Sequence, residues 1–271
     1  MPVREDPVEL AVDGRAIAGT FVIPRRRMPG VLFVHGWGGS QAQYRARARA
    51  LATRGCVCLT FDLTGHAATQ PLFETVSREQ NLRDVVSAYD LLCAHRNVDP
   101  EQIAVVGSSY GGYLSAILTA RRAVRWLVLR VPALYVDSDW EMPKLKLRKA
   151  QNLVVYRQSF VPAAENRALR DCANFTGDVL VVESEFDDLI PHTVIESYLE
   201  AFVKARSKTW RLVSGADHGL TDERCQQAYT SLLLDWFSEV VFVGAKANAF
   251  ENQAAAAASH ATPEVPPTRV E

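Results

Sequence analysis

The sequence predicts an α/β fold: a mostly parallel sheet of eight strands with helices on both faces. Three observations predict it. Short apolar runs rich in Val, Ile and Leu recur along the chain, as at 103–106, 124–129 and 179–182. These runs are continuous rather than alternating, which marks strands buried on both faces. Between them lie segments with helical spacing, two of them opened by capping boxes, and such alternation makes a parallel sheet covered by helices.

In order, residues 8–12 and 16–23 are β-rich, and Asp13-Gly14 between them signals a hairpin. Pro24 and the run Arg25-Arg26-Arg27 read as a solvated turn before a strand at 31–34. Residues 41–54 are Ala- and Arg-rich helix formers, and 56–61 reads as a buried strand. Ser77-Arg78-Glu79-Gln80 is a capping box, followed by Leu82, Val85, Val86 and Tyr89 on one helical stripe. Asp99-Pro100 is read as the end of that unit. A strand at 103–106, a helix through 114–120 and strands at 124–129 and 179–182 follow. Thr193-Val194-Ile195-Glu196 is a second capping box, with Ile195, Tyr198, Leu199 and Phe202 aligned behind it. The last strand is 210–213, and the last helix starts near Thr221 with Ala228, Leu232, Leu233 and Trp236 inward.

Two stretches break the rhythm. Residues 132–177 are too long and polar for one crossover helix, and are expected to form a small helical cap inserted between strands 6 and 7. From 248 to 271 the chain turns Ala-rich, then Pro-rich, without periodicity. The expectation is one domain over 1–247 and a disordered tail over 248–271.

Bulk properties narrow the function. With 30 Lys+Arg against 31 Asp+Glu the formal net charge is -1, which gives no polyanion-binding surface and argues against nucleic acid. The charged start carries no secretory signal, and the apolar stretch 232–243 is interrupted by Asp235 and Glu239, so no membrane segment is expected. The five cysteines lack metal-ligand spacing, and Cys56 and Cys58 read as core packing. A reducing cytoplasm is the expected setting, with no metal and no cofactor.

The chemistry concentrates in a few loops. Gly107-Ser108-Ser109-Tyr110-Gly111 follows a strand and precedes an apolar helix, the context of a nucleophile elbow. Small residues two positions either side of Ser109 let the turn tighten without collision, so Ser109 takes the nucleophile's place. A serine hydroxyl needs an adjacent base. Of the six histidines, His218 in Gly215-Ala216-Asp217-His218-Gly219 lies just past the final strand and is the favoured base; His192, at a helix start, stands second. The orienting acid is sought in Glu183-Ser184-Glu185-Phe186-Asp187-Asp188. Asp187 is favoured, Asp188 substitutes if the loop is displaced by one residue, and the two glutamates stand behind both. An oxyanion hole needs two backbone N–H groups, expected from Tyr110 and from Trp37 in His35-Gly36-Trp37-Gly38-Gly39.

Together these motifs, in the order Ser, Asp, His, resemble the α/β-hydrolase superfamily over about residues 8–241. Asp62 with Gly65-His66 resembles that family's Asp-x-x-Gly-His-Gly loop, with Ala67 in place of the last glycine. Ser109-Tyr110-Gly111-Gly112-Tyr113 is similar to prolyl-oligopeptidase-type catalytic domains and to dienelactone-hydrolase-like esterases. The former normally carry an N-terminal propeller, which is not expected within these 271 residues, and the latter typically use a cysteine where this chain has Ser109.

The expected activity is hydrolysis of a small carboxylic ester through an acyl-enzyme, the partner being a small-molecule acyl substrate. Tyr135, Trp140 and Tyr156, with the Trp37 side chain, are the expected pocket aromatics. Peptidase, amidase or thioesterase chemistry by the same three residues is the alternative. A catalytically silent ligand-binding protein is the alternative of another class.

Overall fold

The computed structural model describes residues 4–23 and 28–243; the arginine run at 25–27 and the tail at 248–271 lie outside the described residues. The chain divides into two compact units, Met1–Ser231 and Leu232–Glu271. The first holds the whole sheet. The second holds the last turns of the final helix and a π-helical stretch, Ser238–Val243.

The strands are β1 (Arg4–Val12), β2 (Arg15–Ile23), β3 (Met28–Val34), β4 (Val57–Phe61), β5 (Val98–Ser108), β6 (Trp126–Arg130), β7 (Asp178–Phe186) and β8 (Ser207–Asp217). They form one sheet in the order β1-β2-β4-β3-β5-β6-β7-β8. Only β1–β2 and β2–β4 pair antiparallel; from β4 across to β8 every pairing is parallel. The hairpin reads as expected: Val12 pairs with Arg15, and Asp13 and Gly14 both take positive φ (49° and 73°), as a two-residue turn with the strand twist requires.

Every residue of β4 and β6 is buried, so both faces of the central sheet are covered. The helices are α1 (Arg45–Ala52), α2 (Arg78–Ala94), α3 (Tyr110–Leu118), α4 (Lys144–Ala150), α5 (Leu153–Arg157), α6 (Arg167–Asn174), α7 (His192–Ala201) and α8 (Glu223–Phe237). Ser77 caps α2 as the capping box predicts, its hydroxyl oxygen accepting the Gln80 N–H at 3.1 Å. The second box does not form. The helix starts two residues earlier than that box requires, at His192 behind Pro191, and the Thr193 hydroxyl donates instead to the Arg157 carbonyl at 2.6 Å. Asp99-Pro100 likewise does not end a unit but lies within β5, beside a register shift against β3 at Pro29/Gly30.

Four helical pieces separate β6 from β7: α4, α5, a 3₁₀ turn at Ala163–Glu165 and α6. Helix α6 packs against α3 and α7, the position of an ordinary crossover helix, so α4, α5 and the 3₁₀ turn are the added part. Among the described residues no helix is long and apolar enough to cross a membrane. Cys56 and Cys58 are fully buried, and burial pushes the Cys56 thiol up to about 12, which suits packing rather than reactivity.

The strand order fixes where a site can form. After β3 the chain steps to β4 on one side, and β5 returns on the other side of β3. The connections leaving β3 and β5 therefore part at their carboxyl ends, opening a crevice there.

Candidate active site

Ser109 sits at that crevice, at the junction of β5 and α3, with φ 52° and ψ −118°. A β-carbon on Gly111 would overlap the carbonyl oxygens of Val34 and His35, and one on Gly107 would meet the Gly111 carbonyl at 2.6 Å. Glycine at both positions is what lets the turn close. Three main-chain bonds then lock it: Ser109 N–H donates to Arg130 O, while the Ser109 carbonyl accepts from Tyr113 and Ala133.

His218 directly follows β8. Its ring reaches the serine, Nε2 lying 3.0 Å from Ser109 Oγ. Its Nδ1 lies 2.7 Å and 2.9 Å from the two Asp187 carboxylate oxygens. Asp187 is itself held, its Oδ1 accepting the N–H groups of Leu189 and Ile190 at 2.9 Å and 2.8 Å. The Asp187 side chain is only 2% exposed, against 19% for the imidazole. These bonds set the tautomer: Nδ1–H donates to the carboxylate, leaving Nε2 to accept from the serine hydroxyl.

The other candidates lie elsewhere. Asp188 is exposed. His192 is more than half exposed and bound to Glu183. His95 bonds the Asn97 N–H, and His260 lies outside the described residues.

The loop after β3 is braced by two neutral histidines. His35 accepts the Leu63 N–H on Nε2 (3.0 Å) and donates from Nδ1 to the Gly36 carbonyl (2.8 Å). His66 accepts the Gly38 N–H on Nε2 at 3.0 Å. Burial pushes the His35 pKa down to about 4 and lowers that of His66 as well. Ala67, where the family loop has glycine, adopts φ 48° and so keeps the left-handed turn. Asp62 accepts from the Gln41 main chain and side chain, tying down the far end of the same loop.

Gly39 N–H bonds Gly36 O and Gly38 N–H bonds His66, so the Trp37 N–H between them has no partner among the described residues. Tyr110 opens α3, where helix geometry gives its N–H no partner either. The structure thus leaves both N–H groups that the sequence nominated free for a ligand.

A cavity of about 280 Å³ adjoins Ser109, walled by the 36–39 loop, Arg47, Arg130, His218 and Tyr229. The expected aromatics are a correction here. Trp37 lines the cavity, but Tyr135, Trp140 and Tyr156 do not. Two of them meet buried cations instead, Arg78 stacking on Trp140 at 4.7 Å and Lys144 lying 5.0 Å from the Tyr135 ring, while the Tyr156 hydroxyl accepts from the Asn166 amide. Burial raises the Tyr135 phenol, but the charges of Lys144 and Arg157 outweigh it and bring its pKa below the usual value.

Sequence reasoning missed Arg130 and Arg47. Arg130 ends β6, donating to the Ser108 and Ser184 hydroxyls and, at 2.6 Å, to the His218 carbonyl. An arginine closing the apolar strand Trp126–Arg130 at its carboxyl end was a usable signal. Arg47 was hidden among the helix-forming arginines of α1.

Residues 31–232 match the model of the alpha/beta hydrolase family. An uncharacterized protein of Mycobacterium tuberculosis is 29% identical over 224 residues, covering 80% of this chain and 73% of its own. Among solved structures, Est1E from Butyrivibrio proteoclasticus with bound ferulic acid has a TM-score of 0.68 at 16% identity, covering 86% of this chain and 99% of that one. A dienelactone hydrolase from Anabaena variabilis has a TM-score of 0.62 at 20% identity, covering 88% and 98%. At those identities the structural likenesses speak for the fold. The match over 31–232, on a sheet whose crevice holds Ser109 beside His218, places the chain in the alpha/beta hydrolase family.

Proposed function

We propose that the protein is a serine hydrolase that cleaves a small carboxylic ester through an acyl-enzyme. The observation that carries this is the unbroken chain of contacts from Ser109 Oγ to His218 Nε2 and from His218 Nδ1 to Asp187. Ser109 Oγ attacks the ester carbonyl while His218 takes its proton on Nε2, and the imidazolium is stabilised by Asp187. The oxyanion that forms is received by the N–H groups of Trp37 and Tyr110. As the tetrahedral species collapses, the C–O bond to the alcohol breaks and His218 returns the proton to that oxygen. Water, deprotonated by His218, then attacks the acyl-Ser109 carbonyl, and serine leaves with the proton.

The test is labelling with a fluorophosphonate probe, read by intact mass, on the wild type and Ser109→Ala. One adduct on the wild type and none on the variant is expected. No adduct on folded wild-type protein overturns the proposal.

A further inference from the structure

The cavity at Ser109 carries positive charge in its lining, and Asp187, the acid whose charge reaches Arg130, is already bonded to His218. Arg47 and Arg130 line it, and no Asp or Glu does. Both are buried, at 9% and 6% exposure. The hydrogen bonds of both go to neutral oxygens: Arg47 to the main-chain carbonyls of Gln43 and Gln226, Arg130 to two serine hydroxyls and the His218 carbonyl. A buried cation is normally paired with an acid, because desolvation without compensation is costly. Two donors in the same wall also lack partners. Arg47 Nε and the Tyr229 hydroxyl are buried and make no hydrogen bond among the described residues. The two residues are in contact, the Arg47 guanidinium standing 4.9 Å from the Tyr229 ring centre.

We infer that the substrate carries a carboxylate remote from the scissile ester, and that this carboxylate seats on Arg47 Nε and the Tyr229 hydroxyl inside the Ser109 cavity. The inference rests on the reading of Ser109 as the nucleophile. A carboxylate can take a hydrogen bond from each of these two unpartnered atoms, whereas a phosphate usually draws on main-chain N–H groups as well. Arg130, each of whose nitrogens already holds a neutral oxygen, adds positive charge to the same wall. Burial holds the Arg130 pKa below its ordinary value, and an anion in the cavity relieves that pressure. The cavity, about 280 Å³, matches a short dicarboxylic half-ester rather than a long acyl chain.

The test pairs turnover with a binding measurement that needs no turnover. The p-nitrophenyl half-ester of glutaric acid is compared with p-nitrophenyl valerate on the wild type, Arg47→Met and Tyr229→Phe. Calorimetry with glutarate, and separately with inorganic phosphate, runs alongside. The wild type is expected to favour the half-ester at least tenfold in kcat/KM, and either variant to reduce that ratio at least tenfold. Glutarate is expected to bind the wild type and to lose at least tenfold in affinity in either variant. Tyr229→Phe removes one oxygen and keeps the ring, so it serves if Arg47→Met does not fold. Valerate preferred or equal in the wild type, with no glutarate binding, overturns the subsite while leaving the hydrolase reading in place. Glutarate binding that depends on Arg47 or Tyr229, with no ester turned over, overturns the hydrolase reading and keeps the subsite. Phosphate bound more tightly than glutarate overturns the choice of carboxylate.

Discussion

Gly36 faces Ser109 so closely that a β-carbon on the glycine would lie 3.3 Å from Ser109 Cβ and 3.9 Å from Oγ. A methyl group there takes the space through which a substrate carbonyl approaches the hydroxyl. Gly36→Ala is expected to lower kcat/KM by roughly 10- to 100-fold, the scale of a misplaced near-attack geometry, while the melting temperature moves little. Ester hydrolysis and a thermal melt check it; full activity in the alanine variant removes the glycine from the argument.

Asp187 receives three donors, the His218 ring and the N–H groups of Leu189 and Ile190. In Asp187→Asn the two main-chain donors keep the amide oxygen on their side, which turns the NH₂ toward His218 Nδ1. The imidazole must then accept there, so its proton moves to Nε2 and it cannot take the serine's. A loss of about 10⁴ in kcat is expected with the fold intact. Retention of more than a tenth of the wild-type rate contradicts this assignment.

Gly111 bears on stability rather than chemistry. Its missing side chain is what admits the Val34 and His35 carbonyls to the start of α3. Both are backbone atoms that cannot swing aside, so Gly111→Ala is expected to destabilise by about 3 kcal/mol or more, or to prevent folding. A urea midpoint within error of the wild type would disprove the close packing.

His35 sets a pH dependence. Its folded pKa of about 4 lies below the ordinary 6.5 because the ring is buried, and the nearby His66 lowers it further. Above pH 6.5 neither folded nor unfolded chain holds the proton. Between 6.5 and 4 the unfolded chain takes it up and the folded one does not, so stability falls as pH falls, by on the order of 3 kcal/mol at the lower end. His66 is lowered too and steepens the same window. Urea midpoints against pH are expected to fall less steeply in His35→Gln than in the wild type; parallel curves would assign the acid loss to other groups.

The sheet was legible because a parallel strand covered on both faces is mostly apolar, as 57–61 is but for Thr60 and 126–129 is throughout. The edges were harder. β1 begins at Arg4 and β8 runs from Ser207 to Asp217, longer than their apolar centres, because an edge strand needs only main-chain bonds and tolerates charge. The elbow and the histidine loop were legible since each is punctuated by glycines with a definite steric task. The cavity wall was not. Arg47, Arg130 and Tyr229 come from α1, β6 and α8, and only the folded arrangement brings them to one place. The aromatics after β6 misled for a related reason: rings and cations such as Tyr135 and Lys144 find one another in the interior regardless of where the substrate lies.

Ser109 occupies a backbone conformation, φ 52° and ψ −118°, that a side chain disfavours by roughly 1–3 kcal/mol and that glycine adopts freely. The position that would do the chemistry is thus also one where heat resistance can be gained by giving the chemistry up. In a screen for thermal tolerance alone, Ser109→Gly should be among the winners. A duplicated copy of this chain, once released from any demand for turnover, has a downhill path to a sturdier and silent descendant.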